Sequence, residues 1–478
     1  MTNSTATGNR AGAVRRMEAY VDKGEFEAEL AARVAIRTES QKFPDPAAIA
    51  ECHRYLDTEM RGAFEAMGFT CRTFDNPIKG QGPVLLATRI EDPKLPTVLG
   101  YGHGDVVRGM EEQWTKGQGP WVTARDGDRL YGRGTADNKG QHTLNMAALR
   151  AVMAERGGRL DFNAKFMIEM GEEAGSKGLY ELVEAHKDAF AADVFIASDG
   201  PRVKQDRPTM SLGCRGAMNF DLVVDLREGG HHSGNWGGLI ANPGFLLAHA
   251  LASIVGPKGE LLVEELKAPP MSKAVKDVLA DVEVDGGDQG PPVDEWWGEP
   301  DLKPAERVYA ANTFNILTFW TGTPGRPVNA IPPKAVANCQ LRFVAGTNVA
   351  NIMPALERHL HAKGHDLVKV MPPPSINDGR FPATRTEPDH PWATFVMGSI
   401  QRSSNAKPAV IPSTGGSICN DIFTDLLGLP SIWIPHSYPS CSQHWPDEHI
   451  LMGLSRHAAG LMAGLYWDIG EGKGVPKR

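Results

Sequence analysis

The chain has 478 residues and a formal net charge of -8, with 41% hydrophobic and 23% charged residues. This balance is typical of a globular protein large enough for more than one core. The negative charge argues against a nucleic-acid or anionic-membrane partner, because phosphates would be repelled. No apolar run reaches the ~18–20 residues of a membrane span, and the polar start lacks a signal-peptide core. We therefore expect a cytoplasmic protein.

Helix-like and strand-like segments alternate over the first two hundred residues. Residues 12–68 predict helices that are interrupted near Pro44 and Pro46. The runs that follow alternate between strand-like (83–90, 95–102, 164–170, 193–199) and helix-like (142–156, 178–190). This alternation predicts an α/β layer with a mostly parallel sheet flanked by helices.

The pattern changes near residue 210. The following runs are strand-like at 218–228, 338–346 and 366–371, and helix-like at 242–255 and 348–364. They predict a separate α+β module that ends in a loop at 371–391, after which helix and strand signals resume. We therefore predict one α/β domain, formed by residues 1–209 and 386–478, that is split by an inserted α+β domain at 210–385.

Acidic and imidazole side chains follow the ends of several predicted strands. They are His103 and Asp105 in "GYGHGDVV", Asp137 in "YGRGTADNKG", Glu172 and Glu173 after "AKFMIEMG", Asp199 in "SDGP" and His444 in "CSQHWPDEHI". Each has an ordinary alternative, such as a loop histidine, a helix cap or a turn. Together they predict a pair of divalent ions, because carboxylates crowded at buried strand ends repel one another unless cations intervene.

These motifs, taken in order, resemble the M20 family of co-catalytic metallopeptidases. The segments "GCRGAMNFDLVV" and "HHSGNWGG" are most similar to its cytosolic nonspecific dipeptidase and carnosinase branch. The resemblance runs from about residue 95 to residue 455. It implies a catalytic α/β domain with an inserted lid and dimerisation domain.

The resemblance also implies a role for each polar residue. His103 and Asp199 would hold one ion, Glu173 and His444 the other, and the carboxylate of Asp137 would bridge them. Such ligands suit Zn²⁺ first and Mn²⁺ as an alternative. Asp105 points the same way as His103 in an extended chain, so it would accept the second imidazole N–H.

The implied general base is Glu172. It would take a proton from a water held by the ions, and the resulting hydroxide would attack an amide carbonyl. The family also implies a cis peptide bond between Asp137 and Asn138. His436 and His449 compete with His444 as the late ligand, and the spacing H-x-x-D-E favours His444.

The inserted domain would complete the substrate site. His232 matches a histidine that reaches the partner subunit's active site in a homodimer, where it would stabilise an oxyanion. We choose it over His231 because Ser233 and Gly234 follow it. Other positions match substrate-binding residues of the family: Asn329, Arg342, Gly415, Gly416 and Ser417. For Arg342 a carboxylate clamp competes with a surface salt bridge.

The leading hypothesis is a hydrolase that cleaves dipeptides or similar small amides with a free carboxylate. An aminoacylase or deacetylase acting on N-acyl amino acids is the first alternative. In the family, Asp at the position of Asp199 accompanies peptidases that recognise a free amine, which favours the dipeptidase. A non-catalytic binding protein on the same fold is the second alternative, and the intact ligand set argues against it.

Overall fold

Two β-sheets organise the chain. The computed structural model describes residues 8–284, 291–323, 325–372 and 380–477, so the predicted loop at 371–391 lies partly outside the described residues. No helix within these ranges combines the length and apolar character needed to cross a membrane.

The larger sheet has eight strands and is parallel at its centre. In spatial order the strands are Thr70–Phe74, Val84–Arg89, Asn163–Glu169, Thr97–His103, Val194–Ala197, Ser431–Trp433, Thr209–Ser211 and Ala409–Ile411. The four strands from Asn163–Glu169 to Ser431–Trp433 run parallel to one another. The strands on either side of this group, Val84–Arg89 and Thr209–Ser211, pair with it in the antiparallel direction. The predicted mostly parallel sheet is confirmed.

Both faces of this sheet are buried. Val98 packs into one hydrophobic cluster and the next residue, Leu99, packs into a different one, because successive side chains of a strand point to opposite faces. Helices Arg10–Asp22, Lys139–Glu155 and Met452–Glu471 pack against one another in the first cluster. A sheet covered on both sides explains why its strands read as continuous apolar runs.

The remaining helices and turns connect the strands. The α-helices are Glu25–Val34, Pro46–Tyr55, Gly62–Ala66, Leu179–Ala185, Lys187–Phe190, Ser233–Trp236, Pro243–Ile254, Lys273–Leu279, Pro304–Tyr309, Ile352–Ala362 and Pro391–Ser404. Wider helical turns span Leu56–Arg61 and Ile422–Leu426, and tight ones Ser40–Lys42, Glu111–Gln113, Glu172–Ala174, Glu264–Leu266 and Val349–Asn351. The predicted helix at 178–190 is wrong as a single element, because the backbone leaves the helical conformation at His186.

The smaller sheet is antiparallel and forms the predicted α+β module. Its strands are Thr313–Thr321, Lys334–Phe343, Gly216–Asp225, Lys369–Met371 and Arg380–Phe381. Gly216–Asp225 pairs with Lys334–Phe343 along its whole length, and its alternate residues are buried, as the period-two pattern predicts. Helices Pro243–Ile254 and Ile352–Ala362 contribute to the core beneath it.

Short ribbons complete the fold. His231–His232 pairs with Ala330–Ile331, and Ala124–Asp126, Arg129–Tyr131 and His449–Leu451 form a three-stranded ribbon. Gly213–Cys214 pairs with Thr384–Arg385 where the chain passes between the two sheets. The expected domain limits remain predictions, and the one after residue 209 falls inside a strand of the larger sheet, Thr209–Ser211.

Candidate metal centre

The candidate site lies where the parallel strands of the larger sheet end. His103 is the last residue of its strand, Glu172 and Glu173 form a turn after Asn163–Glu169, and Asp199 follows Val194–Ala197 by two residues. Carboxyl ends of adjacent parallel strands share one edge of the sheet, which is where α/β proteins bind ligands.

Asp137 lies between the two histidines that were predicted as ligands. Its Oδ1 is 2.8 Å from His103 Nε2, and its Oδ2 is 3.0 Å from His444 Nε2. His444 Nε2 is also 3.1 Å from Glu173 Oε2, and Asp199 Oδ2 is 3.7 Å from His103 Nε2. The five side chains therefore form two sets that share Asp137.

Each set of three could hold one metal ion. His103, Asp137 and Asp199 offer ligand atoms within 4.8 Å of one another, and so do Asp137, Glu173 and His444. Imidazole and carboxylate donors of this kind suit Zn²⁺ and Mn²⁺. The donor chemistry therefore fits two divalent ions.

The electrostatics of the site indicate a shortage of positive charge. Burial and repulsion by Asp137 raise the pKa of Glu173 to about 7 and that of Asp199 to about 6. Burial also raises the pKa of Glu172 well above its usual value, and repulsion by Glu173 adds to the effect. Divalent ions would offset this repulsion, since an opposite charge favours the ionised carboxylate.

The pKa values of the two histidines are raised as well, but for an imidazole a raised pKa favours the charged form. Hydrogen bonds to Asp137 and Glu173 raise the pKa of His444 to about 11. Burial opposes a charge on His103, but hydrogen bonds to Asp105 and Asp137 outweigh it and raise the pKa of His103 well above its usual value. The imidazoles thus occupy the place of cations between carboxylates, which is where metal ions would bind.

Asp105 anchors the site in a way that the sequence did not reveal. Its carboxylate oxygens accept the N–H groups of Glu172 and Glu173 at 3.2 and 3.0 Å. The ring of His103 is nearer to the main-chain oxygen of Asp105, at 3.0 Å from Nδ1, than to its carboxylate at 3.5 Å. Asp105 therefore orients His103 and fixes the turn that carries both glutamates.

The predicted cis peptide bond between Asp137 and Asn138 is confirmed. Sequence reasoning missed two neighbouring amides. The side chain of Asn138 donates to the main-chain oxygen of Ser198 at 2.8 Å, and the side chain of Gln443 donates to Asp137 Oδ2. Their positions next to Asp137 and His444 in the chain were the available signal.

The other two late histidines have different partners. His436 is buried and its Nε2 is 2.9 Å from Ser198 Oγ, whereas His449 Nε2 is 2.6 Å from the hydroxyl of Tyr438. His444 is the one whose ring contacts both Asp137 and Glu173.

Arg342 and Ser417 meet across the gap between the two modules. Arg342 Nη1 donates to Ser417 Oγ at 2.9 Å, and its Nε donates to Gln340 Oε1. Within the described ranges no carboxylate pairs with Arg342. Burial lowers the pKa of this guanidinium. A surface salt bridge, the alternative reading of Arg342, is therefore not what the structure contains.

Two cavities adjoin the candidate metal ligands. One, of about 400 Å³, is lined by Glu172, Glu173, His444 and Ser417. The other, of about 230 Å³, is lined by Asp199, Gly415 and Gly416. The predicted loop 415–417 therefore borders the site on both sides.

His232 and Asn329 lie outside this cluster. His232 is exposed, and its Nδ1 accepts the N–H of Gly234 at 3.1 Å. Asn329 is also exposed, and its main-chain oxygen accepts the N–H of Ser233. Neither side chain forms a hydrogen bond with the candidate metal ligands in the part of the chain that the structure describes.

The chain belongs to peptidase family M20/M25/M40, whose family model matches residues 99–466, and it is a metallopeptidase. The cysteinylglycine-S-conjugate dipeptidase of Corynebacterium striatum is 29% identical over 374 residues, which are 77% of this chain and 75% of that relative. The β-Ala-His dipeptidase of Rattus norvegicus is 35% identical over 209 residues, 42% of each chain.

Solved structures share the fold. Human carnosine dipeptidase 1 has a TM-score of 0.72 at 24% identity, and the match covers 96% of this chain and 99% of that structure. The dipeptidase Dug1p of Saccharomyces cerevisiae has a TM-score of 0.73 at 20% identity, with 97% and 99% covered. The predicted architecture of an α/β domain with a second α+β module is confirmed.

Proposed function

We propose that the chain is a dinuclear metallodipeptidase that cleaves dipeptides with a free carboxylate. The observation that carries the proposal is the position of Asp137, whose two oxygens each face a different histidine and carboxylate set. The names of the relatives, which act on Cys-Gly conjugates and on β-Ala-His, support the dipeptide as substrate.

The roles of the residues follow from their contacts. His103 and Asp199 would hold one ion and Glu173 and His444 the other, with Asp137 shared between the two sets and Zn²⁺ preferred over Mn²⁺. Bound ions would lower the pKa of a water and polarise the amide carbonyl. Glu172 takes the proton of the attacking water and delivers it to the leaving nitrogen.

Two features support Glu172 as the base. It lines the larger cavity beside Glu173 and His444, and its carboxylate is 4.0 Å from His103 Nε2, beyond hydrogen-bond distance. Burial raises its pKa, so this carboxylate binds a proton more readily than that of an exposed glutamate, as a general base must.

Arg342 and the loop 415–417 receive the substrate carboxylate in this proposal. The guanidinium of Arg342 is half-buried and has no carboxylate partner among the described residues, so it can bind the carboxylate of a substrate. A bidentate arginine–carboxylate pair is strong and directional. Ser417 already contacts Arg342, so the same carboxylate would reach Ser417 and the backbone of Gly416.

We further propose a homodimer formed through the smaller sheet. Four large apolar side chains are exposed on its edge strand Thr313–Thr321: Ile316, Leu317, Phe319 and Trp320. Four more are exposed elsewhere on the same module: Trp236, Leu239, Phe245 and Val328. An apolar surface of this kind marks a protein interface. His232 lies on the same module, and the proposed dimer would bring it to the partner's site.

The cysteines support a reducing compartment. All six are described and none forms a disulfide, which is typical of cytosolic proteins. We infer that the enzyme works in the cytoplasm.

A substrate panel tests the proposed activity. We expect the Zn²⁺-loaded protein to hydrolyse Ala-Leu with a higher kcat/KM than N-acetyl-leucine. It should hydrolyse Ala-Leu amide poorly, because this substrate has no carboxylate for Arg342 to bind. Preference for N-acetyl-leucine would identify an aminoacylase instead. Equal rates on Ala-Leu and its amide would remove the proposed role of Arg342.

A further inference from the structure

Glu448 binds the loop that carries Asp137. It is 1% exposed, and its Oε1 accepts the main-chain N–H groups of Gly134, Ala136 and Asp137 at 3.0, 3.0 and 3.1 Å. Its Oε2 accepts Arg133 Nη1 at 2.6 Å. One side chain thus satisfies three N–H donors of a loop that ends on the candidate bridging ligand.

Glu448 also belongs to the loop that carries His444. That loop is closed by a hydrogen bond from the N–H of His449 to the oxygen of Cys441, at 3.0 Å. Ser442, His444 and Asp447 within it have φ values of 57, 64 and 63°. Residues other than glycine adopt this conformation only where surrounding contacts impose it.

Asp447 supplies a second anchor for the same loop. Its Oδ1 accepts the N–H groups of Thr115 and Lys116, both at 2.8 Å, and its Oδ2 accepts the hydroxyl of Thr115 at 2.6 Å. Asp447 and Glu448 therefore hold the His444 loop on two sides, and of these two carboxylates Glu448 is the one that accepts N–H groups of the Asp137 loop.

A salt bridge with Arg133 does not account for this arrangement by itself. Nε and Nη2 of Arg133 have no hydrogen-bond partner among the described residues, so the guanidinium uses one of its donor atoms on Glu448. The other carboxylate oxygen of Glu448, Oε1, accepts the N–H groups of the loop. Glu448 thus binds the backbone next to Asp137 in addition to the charge of Arg133.

We propose that Glu448 is a positioning residue that sets the separation of Asp137 and His444, and with it the affinity of the ion held by Asp137, Glu173 and His444. This inference rests on the proposed two-ion centre. Glu448 touches neither ion nor substrate in this account, and acts through the two loops. The ion of His103, Asp137 and Asp199 would be less affected, because only one of its three ligands, Asp137, lies on a loop that Glu448 holds, whereas the other ion has two such ligands, Asp137 and His444.

The experiment compares Zn²⁺ binding to metal-free wild type, Glu448→Ala and Asp468→Ala by isothermal titration calorimetry. Glu448→Ala removes the oxygen that accepts the loop N–H groups. Asp468 is a matched control, because it is a 5% exposed carboxylate that accepts arginine and serine donors between helices away from the site. We expect wild type to bind two ions. Glu448→Ala should bind the ion of Asp137, Glu173 and His444 at least about ten-fold less tightly than wild type, and the other ion with a smaller loss of affinity.

The control separates positioning from stability. Asp468→Ala should lower the Tm and leave both Zn²⁺ affinities unchanged. Unchanged affinities in Glu448→Ala would overturn the inference alone, whereas wild type that binds no Zn²⁺ would overturn the proposed function and the inference together. Should Glu448→Ala fail to fold, Asp447→Ala loosens the same loop and should weaken the binding of the same ion selectively. Zn²⁺ affinities equal to those of wild type in Asp447→Ala would contradict the inference.

Discussion

Two adjacent glutamates have different surroundings. Glu173 contacts His444 at 3.1 Å, whereas Glu172 lies 4.0 Å from the nearest histidine nitrogen and faces the cavity. The N–H groups of both are held by Asp105. The sequence motif predicted both glutamates as site residues. The hydrogen bonds from their N–H groups to Asp105 could be recognised only in the structure.

We therefore expect Glu172→Gln to lower kcat by about 10²-fold or more, because the amide cannot accept the proton of the attacking water. Metal content should stay at the wild-type level, since Glu172 is not a proposed ligand. Steady-state kinetics on Ala-Leu and elemental analysis of the same preparation check both statements. Near-native turnover would remove Glu172 from its role.

The same variant tests the reach of His232. Mixed with His232→Ala, Glu172→Gln should regain part of the activity, because a mixed dimer has one site with both groups intact. Absence of recovery, with subunit exchange demonstrated, would place the function of His232 within its own chain.

At the level of elements, strand ends were the most predictable part of the site. His103, Glu173 and Asp199 follow apolar runs that could be recognised as strands, and parallel pairing brings them together. The contacts of Glu448 with residues 133–137 span more than three hundred positions, and no local pattern indicates them. The break at His186 was missed because the apolar spacing continues through it.

The strand-end carboxylates should make the metal-free protein sensitive to pH. Glu173 and Asp199 have pKa values of about 7 and about 6 in the folded chain, against ordinary values of 4.5 and 3.8. At a pH between the ordinary and the folded pKa of each group, the folded state binds more protons than the unfolded state. The free energy of unfolding therefore falls as the pH rises through this range. Bound ions would offset this loss of stability, because they bind the deprotonated carboxylates of the folded state.

We expect the difference in Tm between Zn²⁺-loaded and metal-free protein to widen from about pH 5 to about pH 7. Differential scanning fluorimetry across that range, with Asp468→Asn as a variant altered away from the site, provides the measurement. A difference that stays constant or narrows would show that these carboxylates are not the groups that bind the ions.

For the whole molecule, the sequence predicted two modules, and the structure added how they meet. Arg342 of the smaller sheet contacts Ser417 of the loop beside the metal centre, so the proposed substrate site uses both modules. Hydrophobic periodicity identifies each core but carries no information about contacts between cores. Hydrophobic periodicity likewise carries no information about the proposed contact of His232, which is with another copy of the chain.

The central claim is that two divalent ions lie among these carboxylates and are needed for peptide hydrolysis. It is tested most directly by elemental analysis of protein purified without added metal, together with Ala-Leu hydrolysis before and after EDTA. We predict about two divalent ions per chain, loss of activity on chelation and its return with Zn²⁺ or Mn²⁺. Full activity in protein that contains no divalent ion would contradict the account.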